Sequence, residues 1–269
     1  GKPRHGGGIA GRTEATGRGI EEVIREFFRN KEEVKKAKLN ENLKDNRIVI
    51  QGFGNVGRHL AYELYNRDNA KIIAIGEYNG ILYNENGIDI NKLIECVLFK
   101  KTIENNDLGK FIRNPKEIVE VECDILVPAA LEGVINKDNV EKVKTKLIVE
   151  AANGPIDPTS DKILFNKGVT VLPDIYVNAG GVVVSYFEWV KNLSHIRFGR
   201  MEKRYQEHKL LELIKLIEKT TNTKTDPELI NTIVHGADEI DLTNSGLEDS
   251  MRNSFNEILS IKKQIKKSF

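Results

Sequence analysis

The sequence RIVIQGFGNVG at residues 47–57 joins a strand pattern to a glycine-rich turn. Its first five residues form a short, β-branched run, which is typical of a strand buried on both faces of a parallel sheet. The following residues match the pattern G-x-G-x-x-G through Gly52, Gly54 and Gly57. In such a turn the first glycine permits the tight bend, the second lets a pyrophosphate approach the backbone, and the third allows close helix packing. Because a strand precedes the pattern and a helix is predicted from near Asn55, the stretch predicts a dinucleotide-binding turn.

An acidic residue, Glu77, follows the second predicted strand at residues 71–76 and lies twenty positions beyond Gly57. A carboxylate at this position accepts hydrogen bonds from the hydroxyls of an adenosine ribose and repels a 2′-phosphate. The sequence therefore favours NAD over NADP as the cofactor, although a neighbouring lysine or arginine would offset the charge. The alternative interpretation is a glycine turn that only packs a helix against a sheet.

Further strand patterns predict the fold class. Short apolar runs follow at residues 124–127, 146–149 and 169–172. Helical patterns separate most of these runs, which favours an α/β fold with a doubly wound, Rossmann-like dinucleotide-binding sheet. Residues 83–87 (YNENG) are interpreted as a hairpin turn. Beyond Gly181 the strand patterns stop, and apolar residues recur at helical spacing to the end of the chain.

These patterns divide the chain into three parts. Residues 1–12 form a glycine-rich connector, residues 13–180 an NAD-binding Rossmann-like domain, and residues 181–269 a C-terminal helical segment. Within the second part, apolar residues from Ile20 to Phe28 alternate with glutamates at helical spacing. This predicts an amphipathic helix with acidic residues in its first turn, where the helix dipole favours them.

Composition and charge exclude several classes of protein. Of the 269 residues, 39% are hydrophobic, so a folded core is expected. The net charge of +1, from 41 basic and 40 acidic residues, argues against a nucleic-acid coat protein. No apolar run approaches the roughly 18 residues of a membrane span. The two cysteines, Cys96 and Cys123, suit a reducing compartment such as the cytoplasm, with the mitochondrial matrix as the alternative. The histidines lack ligand spacing, so no metal site is expected.

Five motifs carry a family resemblance. In chain order they are residues 13–19 (TEATGRG), 51–57 (QGFGNVG), 123–130 (CDILVPAA), 150–155 (EAANGP) and 178–189 (NAGGVVVSYFEW). Residues 76–80 (GEYNG) and 192–199 (NLSHIRFG) fit the same pattern. Together they resemble the coenzyme-binding C-terminal portion of the Glu/Leu/Phe/Val dehydrogenase family, and within it the glutamate dehydrogenases. The resemblance extends over essentially the whole chain.

The resemblance implies a reaction and a set of partners. The family's glutamate dehydrogenases carry out the reversible oxidative deamination of L-glutamate to 2-oxoglutarate and ammonia. A hydride passes between the substrate α-carbon and the nicotinamide, which is the chemistry of the cofactor itself. The family is typically a homohexamer with one antiparallel strand in its sheet. The oligomeric state of this chain stays open, because many family subunit contacts involve an N-terminal domain.

The resemblance also assigns residues to the cofactor. They are Gly52, Gly54, Asn55, Val56 and Gly57 for the pyrophosphate, Glu77 for the adenosine ribose, Ala129 at the cofactor border, Asn153 for the nicotinamide ribose, Asn178 for the carboxamide, and Thr16 at the nicotinamide end. The two asparagines adjoin glycines, so a turn role without ligand binding is their alternative.

Two residues are implied to bind the substrate. Ser185 would donate a hydrogen bond to the side-chain carboxylate, with Arg12 near the same site. Their alternatives are a serine bonded to its own helix backbone and a plain loop charge. A dehydrogenase for leucine, phenylalanine or valine remains a rival interpretation, and Ser185 argues against it because an apolar pocket would leave that hydroxyl without a carboxylate.

The family's catalytic motifs are missing from this sequence. Its substrate domain carries a glycine-rich stretch with lysines, a catalytic lysine and an aspartate in a proline-rich motif, and none of these is found here. We therefore expect no catalytic residue in the chain, a match that begins in mid-protein, and little or no turnover of glutamate by the chain alone. The other rival interpretation is a non-catalytic dinucleotide-binding fragment.

Overall fold

The computed structural model describes residues 2–3, 6–104, 107–193, 197–235 and 238–267, and within these ranges seven strands form one sheet. The strands are β1 (Arg47–Gln51), β2 (Lys71–Glu77), β3 (Gly80–Tyr83), β4 (Lys110–Ile112), β5 (Ile125–Pro128), β6 (Leu147–Val149) and β7 (Thr170–Leu172). Their order across the sheet is β4-β3-β2-β1-β5-β6-β7. The α/β fold class predicted from the sequence is confirmed.

Most neighbouring strands are parallel, and β3 is the exception. It runs antiparallel to both β2 and β4. The five strands predicted from apolar runs are all present, whereas β3 and β4 were not predicted. The sequence interpretation of residues 83–87 as the hairpin turn was wrong. The chain reverses between β2 and β3 at Tyr78 and Asn79, and residues 84–87 form a separate turn that leads away from β3.

The described chain also contains ten α-helices. They are α1 (Ala15–Arg29), α2 (Lys31–Lys36), α3 (Asn55–Asp68), α4 (Ile90–Lys100), α5 (Pro158–Asn166), α6 (Asp174–Val177), α7 (Gly180–Leu193), α8 (Arg197–Thr221), α9 (Pro227–His235) and α10 (Glu239–Lys267). None of the helices in the described ranges has the length and apolarity needed to cross a bilayer.

The chain divides into two compact units. The larger consists of Thr13–Val183 with Leu247–Phe269, and the smaller of Gly1–Arg12 with Val184–Gly246. In the larger unit, one face of the sheet contributes to an apolar cluster that includes Val49, Leu126 and Ile148. The covering segments supply Ile118 and Leu164 to the same cluster. Burial of these side chains stabilises the sheet that carries the glycine turn.

In the smaller unit the backbone of the N-terminal loop is held by side chains of two helices. The amide of Ile9 donates to the Glu188 carboxylate at 3.2 Å, and the amide of Ala10 donates to the Glu239 carboxylate at 3.0 Å. The Asn192 side chain donates to the carbonyl oxygen of Gly7 at 2.9 Å. The loop therefore follows a defined path over α7 and α10.

Helix α1 differs from the expectation of acidic residues in its first turn. The helix begins at Ala15, so Glu21, Glu22 and Glu26 lie further along it, and all three are buried. The prediction was wrong because α1 begins at Ala15, so these acids lie beyond its first turn and the dipole at the helix N-terminus does not explain them. Arginines form ion pairs with the buried carboxylates: Arg67 of α3 with Glu21, and Arg252 of α10 with Glu22.

Candidate dinucleotide-binding site

The three glycines of the turn after β1 have three different environments. Gly52 has a φ of +98°, and a Cβ there would lie 2.7 Å from the Cβ of Ala130. A Cβ on Gly57 would collide with the carbonyl oxygen of Gly52. Gly54 lies directly before α3, and a Cβ there would meet no described atom within 4 Å. Two glycines are thus required by packing, and the third faces open space at the start of a helix.

The N-terminus of α3 has the character of an anion site. No described side chain caps it, so the amides of its first turn stay available to an acceptor from outside. The side chain of Asn55 does not turn back to these amides, because it donates to the carbonyl oxygen of Thr13 at 2.9 Å. Val56, the next residue of the helix, is half-buried. The residues present fit a phosphate group at this helix end.

Backbone hydrogen bonds bring the carboxyl ends of β1, β2 and β5 together. The amide of Gly52 donates to the carbonyl oxygen of Gly76 at 2.7 Å, and the amide of Ala129 donates to that of Gln51 at 2.7 Å. The Glu77 carboxylate accepts a hydrogen bond from the amide of Phe53. This last contact fixes Glu77 against the glycine turn, at the edge where ligands bind in open α/β sheets.

A cavity of about 480 Å³ opens at this edge. It is lined by Gln51, Gly52, Gly76, Glu77, Tyr78, Pro115, Lys116, Ile118, Ala130, Leu131 and Val134. Apolar side chains form most of the wall, and a few polar groups converge on it, which is the usual composition of a small-molecule site. The sequence analysis missed Lys116 and Ile118, because they lie in a short 3-10 helix, Pro115–Glu120, that carries no motif and is far along the chain from Glu77.

The two asparagines singled out in the sequence meet in the structure. The Asn178 side chain donates to the side-chain oxygen of Asn153 at 2.6 Å. The loop that carries Asn153 is held by Asp174, whose carboxylate accepts from the amide of Gly154 at 2.7 Å. The amide of Asp174 in turn donates to the buried Glu150 carboxylate at 3.0 Å. Burial raises the pKa of Glu150.

The sequence analysis did not predict that Glu150 and Asp174 hold the loops next to the two asparagines. Glu150 begins the quoted motif EAANGP, which gave a signal, whereas Asp174 lies outside every motif. Both hold backbone amides of the loops that present Asn153 and Asn178.

Close helix packing explains the glycines of the TEATGRG motif. A Cβ on Gly17 would lie 2.7 Å from the amide nitrogen of Leu60 in α3. A Cβ on Gly19 would lie 3.0 Å from the Cα of Gly180 in α7. A Cβ on Gly180 would in turn lie 2.7 Å from the carbonyl oxygen of Ala15. The first turn of α1, which carries the half-buried Thr16, therefore packs against the start of α7.

The candidate residues divide between the two units. All ten candidate cofactor residues belong to the larger unit, and the two candidate substrate residues, Arg12 and Ser185, belong to the smaller one. Both substrate candidates are half-buried. Within the described ranges, no three His, Cys, Asp or Glu side chains are arranged to hold a metal ion. His5, His195 and part of the NLSHIRFG motif lie outside the described residues.

Comparison with known proteins assigns the family. Residues 7–243 match the model of the Glutamate/Leucine/Phenylalanine/Valine dehydrogenases. The mitochondrial glutamate dehydrogenase of Dictyostelium discoideum is 48% identical over 94% of this chain and 50% of its own length. An NADP-specific glutamate dehydrogenase of Saccharolobus shibatae is 44% identical over 72% of this chain and 44% of its own length.

A solved structure agrees with these relatives. The glutamate dehydrogenase of Peptoniphilus asaccharolyticus matches with a TM-score of 0.58 and 30% identity, over 97% of this chain and 56% of that one. The chain spans about half the length of the curated relatives it matches. By sequence and by fold, the chain belongs to the Glutamate/Leucine/Phenylalanine/Valine dehydrogenase family.

Proposed function

We propose that this chain is the coenzyme-binding part of a nicotinamide-dependent glutamate dehydrogenase. The observation that carries the proposal is the open position at Gly54, next to an uncapped helix N-terminus and a cavity that Glu77 borders. A dinucleotide has a group for each of these places: a pyrophosphate for the helix end, a ribose for the carboxylate and a base for the cavity.

In this proposal the residues of the chain bind and orient the cofactor. Gly52, Gly54 and the amides of Asn55, Val56 and Gly57 accommodate the pyrophosphate. Glu77 accepts hydrogen bonds from the adenosine ribose, and Ala129 borders the cofactor. Thr16, Asn153 and Asn178 contact the nicotinamide half, where their fixed positions select which ring face is presented. When bound, the cofactor supplies the hydride chemistry.

The proposed substrates are L-glutamate, 2-oxoglutarate and ammonia. Ser185 supports glutamate over an apolar amino acid, because its hydroxyl suits a side-chain carboxylate. Arg12 would add a positive charge near the same group. The proposed partner is a substrate domain that supplies a lysine to activate water or ammonia and an aspartate to move the proton. A homohexamer of such complete subunits is the proposed assembly, and the free cysteines suit the cytoplasm or the mitochondrial matrix.

The test measures cofactor binding and turnover in the same sample. We expect the purified chain to enhance the fluorescence of NADH on binding, with little oxidation of NADH when 2-oxoglutarate and ammonium are added. Orientation and acid–base catalysis each contribute several powers of ten to such a rate, and both need the substrate domain. An absence of NADH binding would contradict the proposal. Rapid oxidation of NADH with 2-oxoglutarate and ammonium would contradict the assignment of orientation and acid–base catalysis to the substrate domain.

Cofactor preference is predicted from two charges in the cavity. We propose NAD as the preferred cofactor, because Glu77 repels a 2′-phosphate, while Lys116 on the same cavity attracts it and so limits the preference. We expect NADH to bind about tenfold more tightly than NADPH, as one unfavourable charge pair costs on the order of 1 kcal/mol. In Lys116→Gln, NADPH affinity should fall while NADH affinity stays unchanged.

Fluorescence titration of both cofactors checks this preference. The matched control is Lys137→Gln, which removes an exposed lysine that does not line the cavity. Equal losses of NADH and NADPH affinity in Lys116→Gln would show that the lysine does not distinguish the two cofactors.

The asparagine pair gives a further prediction. We expect Asn178→Ala to weaken NADH binding about tenfold, because it removes a ligand of the carboxamide and frees Asn153 from its 2.6 Å hydrogen bond. The melting temperature should change little, since the hydrogen bond that is lost lies at the surface. The control is Asn66→Ala, which breaks the hydrogen-bonded pair of Asn66 and Asn91 on another part of the same unit. Similar NADH affinities in the two variants would assign Asn178 a turn role alone.

A further inference from the structure

The side chain of Gln51 has an oxygen without a hydrogen-bond donor. This Oε1 atom is buried, and no described residue donates to it. A buried acceptor without a partner is unfavourable, and native proteins retain few of them. Among the described buried oxygens in this condition, Gln51 Oε1 is the one whose residue lines the cavity next to Glu77.

The position of Gln51 follows from the sheet. It is the last residue of β1 and lies opposite Gly76 on one side and Pro128 on the other. Alternate residues of a strand point to the same face, so Gln51 shares its face with Val49. Val49 belongs to the same apolar cluster as Ile118. Ile118 lines the cavity, as Gln51 does. The backbone oxygen of Gln51 already accepts from Ala129, so its side chain is the part left to meet a ligand.

The chemistry of the cavity limits what the Gln51 oxygen can meet. The walls include Pro115, Ile118, Leu131 and Val134, which suit the faces of a flat aromatic base. Lys116 can only donate hydrogen bonds, so it cannot accept from an amino group. The Glu77 carboxylate already accepts the amide of Phe53 and lies at the end of β2. Two neutral acceptors remain among the lining side chains, the hydroxyl of Tyr78 and the carboxamide of Gln51, and of these the Gln51 oxygen is the buried one without a donor.

We propose that Gln51 recognises the adenine base of the cofactor, its side-chain oxygen accepting a hydrogen bond from the 6-amino group. A carboxamide pairs well with adenine, because its NH₂ group donates to a neighbouring ring nitrogen at the same time. The inference rests on the proposed function, since it needs a dinucleotide in the cavity. It makes Gln51 a residue that determines specificity for the base.

The experiment compares NADH with reduced nicotinamide hypoxanthine dinucleotide, in which an oxygen replaces the 6-amino group of the base. Binding of each to the purified chain is followed by nicotinamide fluorescence, so no turnover is needed. We expect the chain to bind NADH about tenfold more tightly than the hypoxanthine analogue. In Gln51→Met, which is similar in size and lacks the acceptor, NADH affinity should fall to about that of the analogue.

The matched control is Asn79→Leu. Asn79 also has a buried side-chain oxygen without a donor, but it does not line the cavity. This variant should keep the full preference for NADH. Circular dichroism verifies that each variant is folded, and the comparison in the unaltered chain needs no variant.

The outcomes separate the inference from the proposed function. Equal affinities of the unaltered chain for NADH and the analogue would overturn the role of Gln51 and leave the proposed function standing. Equal weakening of both ligands in Gln51→Met would also overturn it, since a purely structural role would give that result. Failure of both ligands to bind the unaltered chain would overturn the proposed function and the inference together.

Discussion

Gly54→Val is expected to weaken NADH binding by about a hundredfold or more while leaving the stability of the chain unchanged. Hydrogen bonds from amides to a charged phosphate contribute roughly 1.5–3 kcal/mol each, and a side chain that keeps the pyrophosphate from the first turn of α3 removes at least two of them. The backbone at Gly54 has a φ of −75°, which any L-residue adopts, and a Cβ there meets no described atom within 4 Å. Fluorescence titration gives the affinity, and thermal unfolding gives the stability.

Gly57→Ala is the informative comparison. It changes a glycine of the same motif, but we expect it to lower the stability of the chain, which Gly54→Val should leave unchanged. A Cβ on Gly57 collides with the carbonyl oxygen of Gly52, so the turn and the helix must separate. Overpacking of this kind costs about 1–3 kcal/mol or more, and we expect a clear fall in melting temperature. If Gly54→Val lowered the melting temperature as much as Gly57→Ala does, the open space at Gly54 would not be the place of a ligand.

The difference between these glycines shows what the sequence could and could not predict. The turn after β1 was predictable because strand, glycine spacing and helix follow one another within residues 47–57, so local pattern is sufficient. The packing of Gly52 depends on Ala130, far along the chain, whereas the packing of Gly57 depends on the carbonyl oxygen of Gly52 in the folded turn itself. The same limit applies to the cavity, where Lys116 and Gln51 are brought together only by the folded sheet.

The fold shows a similar division. Strands such as β1 and β2 were predicted because burial on both faces makes them continuously apolar. The strand β4, with the sequence KFI, begins with a lysine and has no continuous apolar run, unlike the equally short edge strand β7. The pairing of β4 therefore depends on its neighbour β3 more than on its own residues. The hairpin between β2 and β3 turns at Tyr78 and Asn79, and the pair Asn79-Gly80 is a turn signal that the sequence analysis passed over in favour of residues 83–87.

The buried acids of α1 give the second large effect, which is a dependence of stability on pH. Glu21 has no exposed surface, and its carboxylate accepts from Arg67 of α3 at 3.1 Å and lies 3.5 Å from Arg25. Burial, helped by the neighbouring carboxylate of Asp68, raises the pKa of Glu21 to about 8 against the attraction of Arg67. The folded chain therefore keeps a proton on Glu21 at a pH where the unfolded chain has lost it.

The direction of the effect follows from this difference in bound protons. The stabilising contribution of Glu21 is fully present below its ordinary pKa of 4.5 and is lost as the pH rises through about 8. The free energy of unfolding should therefore fall by up to about 1.4 kcal/mol per pH unit within that window. Urea unfolding at several pH values measures the slope. Glu21→Gln should abolish it, whereas Glu32→Gln, which alters an exposed acid of α2, should leave it unchanged.

Arg67→Met tests the same buried acid, Glu21, by removing its cationic partner. Removing one partner of a fully buried ion pair costs about 3–5 kcal/mol, and here Arg25, which lies 3.5 Å from Glu21, offsets part of that loss. At low pH Glu21 is neutral and is stabilised less by a neighbouring cation. We therefore expect Arg67→Met to lower the free energy of unfolding less at pH 6 than at pH 8.5. In the double variant of Glu21→Gln and Arg67→Met, most of that pH dependence should disappear, since the two residues act on one proton. A loss that is equal at both pH values would mean that Arg67 stabilises the chain through Glu63 and Glu248, its other ion-pair partners, rather than through Glu21.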